Sequence, residues 1–586
     1  MSEAADLASA ALKRGDLIGA YDATVTAIAD GDSSGAIHHQ QIIALARMGD
    51  TERAMGLFEA YGLDRSEDPH ERAAGARLLK DRALALPDGD ARRRALEAAY
   101  DAYHENYAKS GDSFPGINAA TLALLAGRED RARELAAALL DDPGVAAAAD
   151  YFKAATRAEA LLLLGRTGEV TEALASDPVR ASRDYGGRSS TLRQLDMVAA
   201  FFGMRADERA ALLAPLAPPR VAHFCGHMFA ADGEAEARIR AEVEALLDAE
   251  EVGFAYGALA CGGDIVTAEA MLDRGVELHV ILPFDEEDFL AQSVRPGGDS
   301  WLDRYQACRV RAASFTLASP MVFFGSPEQY GYGSRMAMGL ARLRADNLTA
   351  EPVQIALWDG APSHGPAGTG ADVLAWAAQG GRTCVVDPGA VGRNLVRPKP
   401  RVASDHERVL AAILFTDFAG FSTLSEAALP AFWGGVMRHV ADVLDTHDEH
   451  VSCRNSWGDA LYAVTTSAPA AAEIVLELQD RLAEFDFATL GLDGSGGMRI
   501  GVHYGPAYRT LDHITGRTTF YGTEVSRAAR IEPVTPPGAV FVTEPFAAIL
   551  ALEAQDRFAC RYVGRIPLAK KYGDYPMYRL TRAGRA

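Results

Sequence analysis

Arg408-Val409-Leu410-Ala411-Ala412-Ile413-Leu414-Phe415-Thr416-Asp417-Phe418-Ala419-Gly420-Phe421-Ser422 reads as an apolar strand that ends in an acid, turns at Gly-Phe and starts a helix at a serine. Downstream, Ser456-Trp457-Gly458-Asp459-Ala460-Leu461-Tyr462-Ala463-Val464 sets a Gly-Asp at a tight turn that leads into a second strand. Arg499-Ile500-Gly501-Val502-His503-Tyr504-Gly505-Pro506 supplies another strand, and Phe520 to Glu532 enters a helix. The mixture of strands and helices predicts an α+β domain over 402–586.

Upstream of this stretch, Arg397-Pro398-Lys399-Pro400-Arg401 is a basic, Pro-spaced linker. Before it, 215–392 alternates short apolar runs with helix-length segments. Strands are expected at Val221 to Phe224, Val252 to Tyr256, Leu278 to Leu282, Ala313 to Leu317, Val353 to Trp358 and Thr383 to Val386. Continuous apolar strands separated by helices predict a parallel sheet covered on both faces. Ala260-Cys261-Gly262-Gly263-Asp264-Ile265 lies at a strand-to-helix turn, and His279 to Phe284 at the next strand end. These segments resemble the nucleotide-sensing Rossmann-like domains of the SLOG and TIR-like group, which implies a nucleotide site; tight-turn glycines are the structural alternative. His223, Cys225 and His227 alternate as residues on one strand face do, but no fourth ligand at motif spacing follows. Tyr330-Gly331-Tyr332-Gly333-Ser334 is expected as a flexible loop, because a Walker loop would continue into Gly-Lys-Ser/Thr.

From the start to Arg209, Ala, Leu, Arg and Glu recur with helical spacing, punctuated by Arg14-Gly15-Asp16, Met48-Gly49-Asp50, Ala126-Gly127-Arg128 and Leu164-Gly165-Arg166. Such runs predict an all-α array of helix pairs over 1–209. Phe114 to Leu122 within it resembles a segment of tetratricopeptide-like regulatory domains. The 586 residues therefore divide into three domains: helical array, Rossmann-like α/β domain, and α+β domain. Lys+Arg 58 against Asp+Glu 80 leaves a net charge of -22, which disfavours nucleic acid as a partner. Neither an apolar run long enough to span a membrane nor a secretory start is present, and the six cysteines lack C-x-x-C spacing. A cytoplasmic protein is expected, with no disulfide framework.

In order and spacing, the segments from Arg408 to Leu580 resemble the catalytic domain of class III adenylate/guanylate cyclases, which implies a ferredoxin-like α+β fold. The resemblance implies that Asp417, the backbone carbonyl of Phe418 and Asp459 hold two divalent ions, Mg²⁺ or Mn²⁺. It assigns Arg530 to the transition state, Lys570 (or its neighbour Lys571) to phosphate, and Ser526 to the position where the family has a ribose-orienting asparagine. Ser526 and Arg530 are expected on one helix face. Asn455 and Thr519 match the base-recognition positions. Thr519 agrees with bacterial adenylyl enzymes, whereas Asn455 supplies neither the usual lysine nor glutamate. The expected activity is conversion of a nucleoside triphosphate, ATP by family default, to a 3′,5′-cyclic nucleotide and pyrophosphate. The family shares its sites across a homodimer, and the N-terminal domains would take a protein or nucleotide ligand. Ser526 and Asn455 keep two alternatives open: a nucleotide-binding pseudo-cyclase acting as receptor or scaffold, and a pyrimidine cyclase.

Overall fold

The computed structural model describes residues 3–363, 365–389, 391, 407–490 and 497–584. The linker 397–401 and the domain boundary at Val402 lie outside them. The chain divides into two compact units, Met1–Pro218 with Asp346–Ala350 and Gly584–Ala586, and Pro219–Ala345 with Glu351–Ala583.

The first unit is built of helices running from Glu3–Arg14 to Ala206–Leu213. Its turn signals act as expected. Gly15, Gly49, Gly127 and Gly165 take φ of 71°, 82°, 80° and 74°, the left-handed conformation that ends a helix without a Cβ clash. After Gly15, the Asp16 carboxylate accepts the Gly19 N–H and caps the next helix. The stretch Phe114 to Leu122 lies in the helix Ser113–Leu125, which is buried along most of its length. It packs with Tyr103, Leu161 and Leu195 in the core of the array.

The second unit holds two sheets. In the first, β1 (Arg220–Gly226), β2 (Val252–Gly257), β3 (Glu277–Leu282), β4 (Ser314–Leu317), β5 (Pro352–Leu357) and β6 (Thr383–Val386) are all parallel, in the order β4-β3-β2-β1-β5-β6. Each strand read from the sequence is present, with ends shifted by at most two residues. Tyr330 to Ser334, however, is not a flexible loop: it forms part of the helix Glu328–Leu348. Its glycines permit close packing instead. A Cβ at Gly331 would lie 2.6 Å from the Pro366 carbonyl oxygen, and one at Gly333 2.8 Å from Pro283.

The second sheet contains β7 (Arg408–Ala419), β8 (Val451–Trp457), β9 (Ala460–Thr465), β10 (Gly497–Leu511), β11 (Thr518–Tyr521), β12 (Val540–Thr543), β13 (Phe558–Pro567) and β14 (Asp574–Arg582). Their order is β13-β14-β12-β10-β7-β9-β8, with β11 on β10. The β10–β12 pair is parallel and the others antiparallel. Central β7 alternates: Val409, Ala411, Ile413 and Phe415 pack in one cluster with Ala507, Phe520 and Ala528. Helices Ala468–Ala483 and Glu544–Glu553 complete the domain and bury Ile474, Leu478, Phe546 and Ile549. Among the described residues no helix is long and apolar enough to cross a membrane.

Candidate active site

Asp417 lies near the end of β7, where the antiparallel register sets it opposite Arg499 of β10. Asp459 occupies the turn between β8 and β9, where Gly458 takes φ 61°. The Phe418 N–H donates to the Asp459 carboxylate at 3.1 Å and ties the turn to the strand end. Burial, and then the charge of Asp417, hold the Asp459 carboxyl above its ordinary value. The two acids predicted as metal ligands are thus close enough to repel each other.

A third acid joins them. Glu532 is pushed up to about 7 by burial and by Asp417, with Arg499 opposing and Asp459 adding to the rise. Arg499 Nη1 lies 3.9 Å from Asp417 Oδ2 and 3.8 Å from Glu532 Oε1. Glu532 Oε1 and Arg499 Nε are buried without a hydrogen bond. Among the described residues no three His, Cys, Asp or Glu side chains close on one metal-sized point. The donors in place are the aspartate pair with Glu532 alongside. An all-oxygen set of mutually repelling carboxylates, one with an orphaned buried oxygen, fits a hard divalent cation. Sequence reading passed over Arg499 and Glu532; the available signal was an acid two residues beyond Arg530.

Ser526 is exposed within the short helix Thr523–Ala528. Arg530 lies past the end of that helix, so the expected shared helix face is not formed. Its N–H bonds the Arg527 carbonyl at 2.9 Å, tightening the chain ahead of Pro533, which has no N–H to extend a helix. Among the described residues Arg530 Nη1 reaches the Ala529 carbonyl alone, at 3.5 Å, and Nε is buried without a partner. Among the described residues Arg530 joins no ion pair. Its carbonyl accepts the Ala569 N–H at 3.4 Å, which ties the β13–β14 loop to it. In that loop Lys570 and Lys571 are both exposed and both left-handed, with φ of 61° and 60°. The loop is therefore brought to Arg530, with neither lysine singled out. Asn455 is exposed on β8 opposite Tyr462, whose hydroxyl donates to the Phe520 carbonyl at 3.0 Å. Tyr462 so links the strand facing Asn455 to the residue following Thr519.

Beneath the Ser526 helix lies a buried polar cluster that sequence reading did not identify. Glu524 lies 2.8 Å from His503 Nε2 and pairs with Arg527, while His503 Nδ1 lies 2.8 Å from Thr543 Oγ1. Burial pushes Glu524 up, but His503 and Arg527 outweigh it and leave the carboxyl below its ordinary value.

Residues 403–582 match the family described as the adenylate and guanylate cyclase catalytic domain, and residues 15–123 match the tetratricopeptide-repeat sensor family. Solved structures similar to this chain include the adenylyl cyclase CyaB from P. aeruginosa, at 16% identity over 30% of this chain and 96% of that one, TM-score 0.27. The guanylate cyclase domain of RhGC from Catenaria anguillulae, in complex with GTP, is similar at 18% identity over 30% and 98%, TM-score 0.26. An adenylate cyclase from Trypanosoma brucei in its monomeric state is similar at 22% identity over 29% and 87%, TM-score 0.27. No curated protein matches the chain. Over residues 403–582 the chain carries a class III adenylate/guanylate cyclase catalytic domain, and over 15–123 a tetratricopeptide-repeat sensor segment.

Proposed function

We propose that the chain converts a nucleoside triphosphate, ATP by family default, to its 3′,5′-cyclic nucleotide at sites shared by a homodimer. The ribose 3′-oxygen attacks the α-phosphorus, the bond from that phosphorus to the bridging oxygen breaks, and pyrophosphate leaves with that bond's electron pair. The 3′-hydroxyl proton passes to solvent or to pyrophosphate. Asp417, Asp459 and the Phe418 carbonyl would hold two divalent ions, Mg²⁺ or Mn²⁺, which would supply positive charge beside the attacking oxygen and the leaving phosphates. Arg530 meets the charge that builds on the transferring phosphoryl group, and Lys570 meets the leaving phosphates. Ser526 contacts the ribose with a shorter reach than asparagine, and Asn455 with Thr519 faces the base.

The observation that carries this reading is the placement of Asp459 against the end of β7, where the N–H of Phe418, next to Asp417, donates to its carboxylate at 3.1 Å. Support for the shared site comes from Arg530, whose guanidinium pairs with no described carboxylate of its own chain. Exposed apolar side chains on the same domain, Trp457 at 88% and Ile514 at 95%, suit a second subunit. The tetratricopeptide segment and the parallel-sheet domain supply regulation.

The test incubates purified protein with Mg²⁺ or Mn²⁺ and each of ATP, GTP, CTP and UTP, and identifies products by mass spectrometry. A cyclic product that disappears in Asp459→Ala is expected, and its base names the substrate. Asp417→Ala mixed with Arg530→Ala should recover activity, because each heterodimer retains one intact site. Empty reactions in every condition would leave a nucleotide-binding receptor.

A further inference from the structure

A cavity of about 470 Å³ opens at the carboxyl ends of β1, β2 and β3, beside the β1–β5 boundary where the strand order reverses. Open parallel sheets take ligands at this position. The wall chemistry is specific. No Lys or Arg is among the described residues that line it. Two acids are, Asp264 and Asp372, each 7% exposed. Asp264 Oδ2 accepts the Ala260 N–H at 3.1 Å, while Oδ1 is buried with no hydrogen-bond partner. Asp372 Oδ2 accepts the Ser334 hydroxyl at 3.0 Å. Among the described residues neither has a cationic partner; burial, with Asp372 adding to the rise, pushes the Asp264 carboxyl up to about 8, and burial pushes that of Asp372 to about 7. The remaining wall is largely apolar and aromatic, with Met228, Phe289, Phe323 and Tyr330. His223 adds no charge, because burial lowers it to about 3.

We propose that this cavity is an effector site for a small organic cation carrying an amine, amidinium or guanidinium group, and that occupancy is transmitted to the cyclase domain through residues 319–334. Unpaired buried acids in an aromatic box supply the counter-charge and the π-faces that such a cation needs. A polyphosphate would meet the same acids with no Lys or Arg among the described lining residues to offset them, and the imidazole of His227 already faces Asp359 at 2.9 Å. The two helix N-termini at the cavity already have their negative partners, since Asp264 and Asp372 lie in the first turns of Gly263–Asp273 and Thr369–Ala378.

The transmitting segment touches both sites. Phe323, Tyr330 and Ser334 line the cavity. On the cyclase side, Ser319 donates to Glu524 at 3.3 Å and the Tyr332 hydroxyl donates to the Tyr504 carbonyl at 3.1 Å. Phe324 packs on Tyr508, and the Arg408 guanidinium lies 3.8 Å and 4.2 Å from these two rings. Glu524 belongs to the helix that carries Ser526 and leads to Arg530. The coupling claim rests on the cyclase reading; the binding claim does not.

The experiment titrates the full chain with agmatine, spermidine and benzamidine, with ATP as the polyanion, by calorimetry in two buffers of different ionisation enthalpy. At least one cation should bind at or below about 1 mM and release protons, because its charge favours the ionised acids. Asp264→Asn still accepts the Ala260 N–H but turns the unpartnered oxygen into an N–H donor, so affinity should fall at least about tenfold. Asp372→Asn should do the same, and thermal melts confirm that both variants fold. The bound cation should change the cyclase rate, and Tyr332→Phe should keep the binding heat while blunting that change. Three outcomes overturn the site: no cation binds at about 1 mM, binding is indifferent to both variants, or ATP binds in place of the cations and is lost in Asp264→Asn. Binding with an unchanged rate in an active preparation overturns the coupling. A preparation with no basal activity counts against the cyclase reading, and the heats still decide the site.

Discussion

Glu532→Gln should stabilise the metal-free protein at alkaline pH and weaken its response to Mg²⁺. The Glu532 carboxyl is raised from 4.5 to about 7, first by burial and then by Asp417. A carboxyl raised in the folded state holds its proton more tightly there than in the unfolded chain. The penalty is therefore absent below 4.5, grows as pH rises towards 7 and is complete above it. At about 1.4 kcal/mol for each tenfold in the proton equilibrium, an ionised Glu532 costs about 3 kcal/mol. Its side chain is 16% exposed, and water at the rim reduces the cost to about 2 kcal/mol. Glutamine has the same shape without the charge, so the cyclase transition should rise by roughly 4–8 °C at pH 8 and hardly at all below 4.5. Thermal melts followed by circular dichroism in EDTA at both pH values measure this. Added Mg²⁺ should then raise the wild-type melt more than that of the variant. A Glu532→Gln protein less stable than wild type at pH 8 would refute the reasoning, and would show that the Arg499 pairing outweighs burial and repulsion.

Arg530→Ala should lower kcat by about two to five orders of magnitude with KM little changed, read in steady-state kinetics with the preferred triphosphate. Ser526→Asn should raise kcat, because asparagine restores the reach to the ribose; an unchanged rate would remove Ser526 from the site. Glu524→Ala leaves Arg527 buried and unpaired, and should cost about 3–5 kcal/mol in chemical denaturation, whereas Glu524→Gln should cost less. Ser319→Ala removes a hydrogen bond to a charged acceptor worth about 1.5–3 kcal/mol, and should alter the basal cyclase rate without changing KM for the metal.

The parts of the site that were legible in the sequence are those whose chemistry is local. Asp417 stands at a strand end and Asp459 in a two-residue turn, so the chain itself displays both acids in position to be used. Arg499 and Glu532 are different. Arg499 meets Asp417 only through the long antiparallel register of β7 on β10, and Glu532 reaches them only because the chain tightens after Ala528. No short window contains those facts. The glycines of Tyr330 to Ser334 invite a loop assignment because glycine is costly in a helix, yet at Gly331 and Gly333 the neighbouring backbone leaves no room for a side chain. Tertiary packing there outweighs a local preference of about 1 kcal/mol per residue.

Under the proposed coupling, the same contrast directs regulation through Glu524 rather than through the aspartates. Asp417 is held near the end of β7, an interior strand of the sheet, and Asp459 is tied to that strand by the Phe418 N–H. Glu524 instead takes partners from three places: His503 on β10, Arg527 on its own helix and Ser319 from the parallel-sheet domain. A displacement of residues 319–334 must break a buried bond or carry Glu524 with it. The first leaves a charged group short of a donor, and the second moves the short helix bearing Ser526 and the turn bearing Arg530. Either costs more than about 1 kcal/mol, which is the scale of coupling free energies between distinct sites.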